Sequence, residues 1–378
     1  MIASQKHRRL VSILVAGACS WMAESSLAEV PQFSWKTDCV GRMQIGLPGE
    51  ADVAASPQKE FLDYAGGRGP AYPGAAFSNG QRAFSATLSF MGSVVVSHPV
   101  DEMVRKQFLQ AAEREKSNDE STLKQRRGIS VYGYPATFES LSTGKQRGLA
   151  WKIGPSYSAY FDVGGSGFSW GIVSSAERSP ALAEYYKTLT EGVSARPLHT
   201  VPSDPGVCLP YAFIRDDGTH GRKIETTYQL RDHPDITIWL RDQGALRVRK
   251  DRNPDLYTAT GRLNWFWTQY FSGERTAIRS AWHESYKKIK LPAGKGVESF
   301  VEMTREDGTQ DFGYLLVIRG EPDAKDDRPD LTMYVIRDAA NAKAKGVEAV
   351  SKEQVLEMGR AVAASIRHRT EGVETPSK

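Results

Sequence analysis

Two stretches of this 378-residue chain open and close alike. Thr37-Asp38-Cys39-Val40 begins one and Gly206-Val207-Cys208-Leu209 the other, and each ends on a short helical pattern closing with Ser-x-Arg, at Ser194-Ala195-Arg196 and Ser365-Ile366-Arg367. The cysteine-to-arginine offsets are 157 and 159 residues. Self-similarity at this spacing constrains the fold more than any single motif, because one structural plan must then serve twice. The expected organisation is a signal segment at 1–28, an N-terminal lobe at 29–197, a linker at 198–205 carrying Pro202, Ser203, Asp204 and Pro205, a C-terminal lobe at 206–369 and a disordered tail at 370–378. Two similar lobes leave a cleft between them.

Hydrophobic periodicity makes each lobe α+β, an antiparallel sheet with packed helices. In the first, Val40 to Leu47 and Phe84 to Phe90 read as strands. A helix starts at Pro99 with Val104, Phe108, Ala111 and Ala112 on one stripe, and Asn118 to Lys124 breaks its pattern. A hairpin over 136–153, strands at 158–163 and 168–173, and a helix from Pro180 follow. In the second lobe, Asp307-Gly308 marks a tight hairpin between 299–304 and 312–318, and a last helix spans 352–366. About 160 residues per lobe suffices to bury a core.

Composition excludes some partners. Lys and Arg number 49 against 45 Asp and Glu, a formal charge of +4 that falls to +2 when residues 1–28 are removed. Charge so near neutral and so interspersed carries no basic stripe for nucleic acid. The signal reading of Met1 to Ala28 rests on Lys6, His7, Arg8 and Arg9 before the apolar run Leu10 to Ala18, and on Ser26-Leu27-Ala28 as a cleavage site. That run is shorter than the about 20 residues a membrane span needs. Ala16-Gly17-Ala18-Cys19 offers a second reading, a lipoprotein signal acylated at Cys19 that anchors the chain to the membrane facing the periplasm, and either way the address is the envelope. Cleavage after Ala28 leaves Cys39 and Cys208 in an oxidising compartment, where a disulfide between the lobe openings is the expectation and two buried thiols the alternative.

Catalytic signals are few. Gly167-Phe168-Ser169-Trp170-Gly171 fits the G-x-S-x-G pattern, which would make Ser169 the nucleophile of a periplasmic serine hydrolase, but Ile172 and Val173 extend a strand where the nucleophile elbow needs a helix. The seven histidines lack the paired helical spacing of zinc sites, and the acidic loop Asp323, Asp326, Asp327, Asp330 lacks the ligand spacing of a calcium loop. No metal and no cofactor are expected. Asp326 and Asp327 read first as a solvated loop and second as a protein contact. The run Trp265, Phe266, Trp267, Tyr270, Phe271 puts five aromatics in seven positions, more than one helical stripe can bury. Trp265, Trp267 and Tyr270 are therefore candidate partner contacts.

The opening Thr37-Asp38-Cys39-Val40-Gly41-Arg42-Met43-Gln44-Ile45-Gly46-Leu47-Pro48, the second Cys-led lobe and its closing Ala363-Ala364-Ser365-Ile366-Arg367 resemble a known family. It is the periplasmic immunity proteins that neutralise phospholipase effectors of the type VI secretion system, the cognates of class four lipase effectors. The resemblance spans nearly all of the chain after the signal. It implies a two-lobed claw that grips the effector's lid region and stops it opening onto membrane lipid, with no chemistry of its own. Besides the hydrolase, an envelope protein that binds lipid or peptide in the cleft is the competing class.

Overall fold

Backbone pairing crosses between the two sequence repeats at both ends. The computed structural model describes residues 34–68, 72–173, 179–247, 258–270, 275–282 and 284–369; the signal segment with Cys19, Phe271 and the tail at 370–378 lie outside them. Residues 34–369 belong to one compact unit. The chain begins with β1 (Lys36–Val40), β2 (Met43–Leu47), β3 (Ala51–Val53) and α1 (Gln58–Ala65), and β4 (Leu88–Phe90) and β5 (Ser93–Pro99) lead into α2 (Glu102–Gln125). A meander follows, β6 (Phe138–Ser140), β7 (Arg147–Ile153), β8 (Ser156–Val163) and β9 (Ser166–Ile172), and then α3 (Ser179–Gly192) and β10 (Val193–Ala195). The second half opens with β11 (Gly206–Leu209) and β12 (Ala212–Arg215) and continues through β13 (Arg222–Leu230), β14 (Ile236–Gln243) and α4 (Ala259–Tyr270). It closes with β15 (Arg275–Ser280), β16 (Lys287–Leu291), β17 (Gly294–Arg305), β18 (Gln310–Ile318), β19 (Asp330–Arg337), α5 (Ala339–Lys345), α6 (Lys352–Ser365) and β20 (Arg367–His368). The fold is α+β, with antiparallel sheets throughout the named pairs.

Among the described residues, fourteen strands form one sheet in the order β15-β17-β18-β19-β14-β13-β4-β5-β9-β8-β7-β6, with β16 on β17 and β3 on β13. The halves meet where β13 pairs with β4, Lys223 opposite Ser89. Further along the same edge of β13, Tyr228 faces Val53 of β3, so the start of the chain is built into the sheet of its second half. Two three-stranded sheets repeat one plan. In each a Cys-led hairpin takes a short closing strand, but β1 and β2 take β20 and β11 and β12 take β10. Each hairpin thus holds the closing strand of the other repeat.

Register also corrects the repeat's end point. Ser194 pairs with Phe213 and Arg367 with Gln44, and Phe213 and Gln44 are the partners of Cys208 and Cys39. The counterpart of Arg196 is therefore Arg369 rather than Arg367. Both are buried. Arg196 donates to the Leu209 carbonyl at 2.9 Å and pairs with Asp38, while Arg369 donates to the Gly206 carbonyl at 2.8 Å. Cys39 and Cys208 are joined by a disulfide with Cα atoms 5.8 Å apart, beside the bridge in which Gly41 and Cys208 exchange backbone hydrogen bonds of 2.9 and 2.8 Å.

Several local expectations change. Val40 to Leu47 is not one strand but a hairpin, because Gly41 takes φ +59° and turns the chain. The first-lobe strand shrinks to Leu88–Phe90. Pro99 ends β5, and α2 starts one turn later, where the Asp101 carboxylate accepts from the Val104 N–H. That helix runs through Asn118–Lys124 without a break, since Leu123 is buried and the Asp119 carboxylate accepts from Trp151 Nε1 at 2.8 Å. Helix α6 has a capping box, Ser351 with Gln354, and buries Val355, Met358 and Val362. Each such side chain contributes about 1.5–3 kcal/mol when fully buried. Among the described residues no helix is long and apolar enough to cross a membrane.

Candidate protein-binding surfaces

Period-two alternation on three paired strands builds the first concave surface. Glu225 on β13 stands opposite Arg241 on β14, which stands opposite Thr332 on β19. One row along, Thr227, Trp239 and Tyr334 repeat the alignment on the same face. Helix α4 covers part of this face with Leu263, Phe266 and Trp267, which pack on Trp239 and Tyr334. From the first half, the segment around Phe84 reaches the same place, its ring edge-on to Phe266 at 5.7 Å. Thr227 Oγ1 donates to the Ser85 carbonyl at 2.5 Å and ties that segment down.

Between α4 and this segment lies a groove of about 430 Å³, lined among others by Phe84, Glu225, Trp239, Arg241, Leu246 and Trp265. Phe84, Leu246 and Trp265 expose large apolar surface there. The aromatic run divides as a single helical stripe requires: Trp265 is 51% exposed, whereas Trp267 is 8% exposed. Trp267 is a correction to the contact candidates, because its indole donates to Ser299 Oγ at 2.8 Å inside the core. Tyr270 ends α4, and its side chain lies outside the described residues.

The acidic loop divides too. Asp326 is exposed and pairs at 3.0 Å with Arg328, an arrangement open to a partner. Asp327 is only partly exposed, and its carboxylate lies 2.8 Å from Arg222, 3.4 Å from Arg42 and 3.2 Å from His368. Burial pushes its pKa up, but His368, Arg222 and Arg42 outweigh burial and hold it well below the usual carboxylate range. Arg42 also pairs with Asp216 at 2.7 Å, and Arg222 with Asp242 at 2.5 Å. Five separate segments of chain meet in this cluster, so no sequence spacing marks it. Asp216, Asp217 and His220 bring ligand atoms within 4.8 Å of one another. The Arg42 guanidinium already neutralises Asp216, which disfavours a cation there.

Ser169 lies inside β9, buried, with its hydroxyl 3.5 Å from Tyr64 OH. The strand continues through Gly171 and Ile172, so the strand-to-helix turn of a nucleophile elbow is missing. The first glycine of the motif has a packing reason: a Cβ at Gly167 would overlap the Phe61 ring. Next to Ser169, a second groove of about 570 Å³ is lined by Tyr64, Tyr72, Tyr132, Tyr134, Trp151 and Tyr157, with Tyr72 and Tyr132 exposed. Its tyrosines come from helix α1, from loops and from β8, far apart in sequence, and no local run announces them.

A continuous antiparallel sheet spanning two repeats, with Cys-led hairpins that exchange closing strands, defines the class of fold. Solved structures share it. The apo structure of the immunity protein TplEi of the type VI secretion system (T6SS) from Pseudomonas aeruginosa aligns over 90% of this chain and 99% of its own, with a TM-score of 0.56 at 15% identity. The Tle4–Tli4 complex contains a chain that aligns over 89% of this one and 98% of its own, with a TM-score of 0.55 at 15% identity. TplEi complexed with an "L" peptide aligns over 90% and 99%, with a TM-score of 0.52 at 15% identity. In sequence, the family model described as Tle cognate immunity protein 4 C-terminal domain matches residues 200–258. No curated protein matches the chain. The chain resembles these immunity proteins in fold over nearly their whole length, and in sequence across the start of its second half.

Proposed function

We propose that this chain is an immunity protein that binds a cognate type VI secretion phospholipase effector in the periplasm and blocks its lid or active-site access. The observation that carries the reading is the fold, which runs over 98% of the matched chain in the Tle4–Tli4 complex, together with the family match at residues 200–258. The absence of an elbow at Ser169 favours capture over chemistry. The seam groove with Trp265, the tyrosine groove and the exposed Asp326 are the surfaces offered for the grip. The periplasmic address rests on the signal reading of residues 1–28, with anchoring through Cys19 as its variant.

The test uses the purified mature protein and a class four phospholipase effector of the type VI secretion system as its candidate partner. Phospholipid hydrolysis is expected to stop near a one-to-one ratio, as a tight interface of about 1,600 Å² or more would produce. Ser169→Ala is expected to leave protection intact. Ester hydrolysis by the isolated protein, abolished by Ser169→Ala, would replace this reading with the hydrolase. Mass spectrometry of the mature protein separates a chain starting at Glu29 from one acylated at Cys19.

A further inference from the structure

Arg241 lies half-buried in the seam groove without a carboxylate of its own. Its Nη2 donates to Thr332 Oγ1 at 2.8 Å, its guanidinium lies 5.5 Å from the Trp239 ring centre, and Nε has no hydrogen-bond partner. The carboxylate opposite it, Glu225, is engaged elsewhere: it pairs with Lys223 at 3.1 Å and accepts from the Ser85 hydroxyl and the Thr87 N–H. The other acid nearby, Asp330, is held by Arg262 at 3.4 Å, by Arg319 at 3.0 Å and by the Leu246 N–H at 3.1 Å. Lys223, Arg241 and Arg262 thus line the groove against the single carboxylate of Glu225, an excess of two positive charges, while Asp330 and Arg319 beside it offset one another. Burial pushes the pKa of Arg241 down, the sign of a cation short of compensation.

A half-buried arginine stacked on an indole and walled by exposed aromatics suits a planar anion, because the guanidinium fork matches a carboxylate and the apolar walls exclude water. We propose that the seam groove is a carboxylate-receiving site for the partner protein, in which an acidic side chain docks on Arg241 while Trp265, Phe84 and Leu246 cover the apolar residues beside it. This rests on the immunity reading for the identity of the partner. The groove takes walls from both halves, Phe84 from the first and Trp265 from the second, so only the intact chain presents it.

Binding of that candidate phospholipase to the full mature protein is measured by calorimetry for wild type, Arg241→Gln, Arg241→Lys and Trp265→Ala. Truncating one partner of a buried charge pair should weaken binding on the order of 30-fold in Arg241→Gln. Trp265→Ala, on an exposed helix face that folding does not need, should cost roughly tenfold as the loss of an interface anchor. Arg241→Lys should fall between wild type and Arg241→Gln. A folded Arg241→Gln that binds as tightly as wild type overturns the site, as does loss of binding to phosphatidylglycerol vesicles rather than to the lipase, which would assign the groove to lipid phosphate. If Arg241→Gln fails to fold, the wild-type protein decides: N-acetylaspartate should shift the Arg241 Nε–H resonance saturably and N-acetyllysinamide should not, and no shift with either overturns the site. If wild type binds no lipase but the resonance shifts, the immunity reading fails and the groove stands.

Discussion

A β-carbon at Gly41 would overlap the Asp242 carboxylate, and the residue's φ of +59° already disfavours any other side chain. That carboxylate accepts from the Arg42 N–H at 2.7 Å and from Arg222 Nε at 2.5 Å. Gly41→Ala should therefore disturb the buried charge cluster and destabilise by about 3 kcal/mol, read from the denaturant midpoint. Asp327 tests the same cluster by pH. A carboxyl group whose folded pKa is depressed contributes its stability above the unfolded value near ~4 and loses it as pH falls through the folded value. Wild type should then lose stability more steeply than Asp327→Asn as pH drops below ~4, and the two curves should run parallel above it. Equal slopes throughout would show that Asp327 is not ionised in the cluster. At this scale the sequence was a partial guide. Cys39 and Cys208 stood out by equivalence, and Trp265 by crowding, whereas Arg42, Arg222, Asp242 and Asp327 are ordinary interspersed charges until the fold brings them together.

Among elements, α2 shows how tertiary packing overrides local preference. Its final turns carry Ser117-Asn118-Asp119, poor helix formers, yet they persist because Asp119 satisfies the buried Trp151 indole. Asp119→Ala should leave that N–H without a partner, at a cost of about 1–3 kcal/mol. Amide exchange should speed up in Ser121 to Gln125 ahead of the rest of the helix, and uniform exchange along α2 would refute the assignment of that end to a single side chain. The strongest sequence signals were accurate: the Asp307-Gly308 turn joins β17 to β18, with Met303 opposite Asp311 and Thr304 opposite Gln310. Short elements such as β10 and β20 were hidden. Three residues and two residues carry no periodicity, and β20 finds its partner β2 more than three hundred residues earlier in the chain.

For the whole molecule, exchanged closing strands make the halves interdependent. Separated at the 198–205 linker, residues 29–205 would lack β11 and β12 for β10, and residues 206–378 would lack β2 for β20 and β3 for β13. We expect neither half to show a cooperative thermal transition alone, and a mixture of the two to recover one, as circular dichroism would report. Two independent transitions would instead restore a pair of self-contained domains. The disulfide clamps this arrangement at its centre, and Cys39→Ser with Cys208→Ser should cost up to about 4–5 kcal/mol in the chain-entropy account. The exchange also sets a timetable. Met43 waits for His368, so a chain that emerges amino end first holds its opening hairpin unfinished until β20, more than three hundred residues later, is free. Loop closure over that span is slow compared with local hairpins. During that interval the edge of β2 is open to any other strand that arrives first.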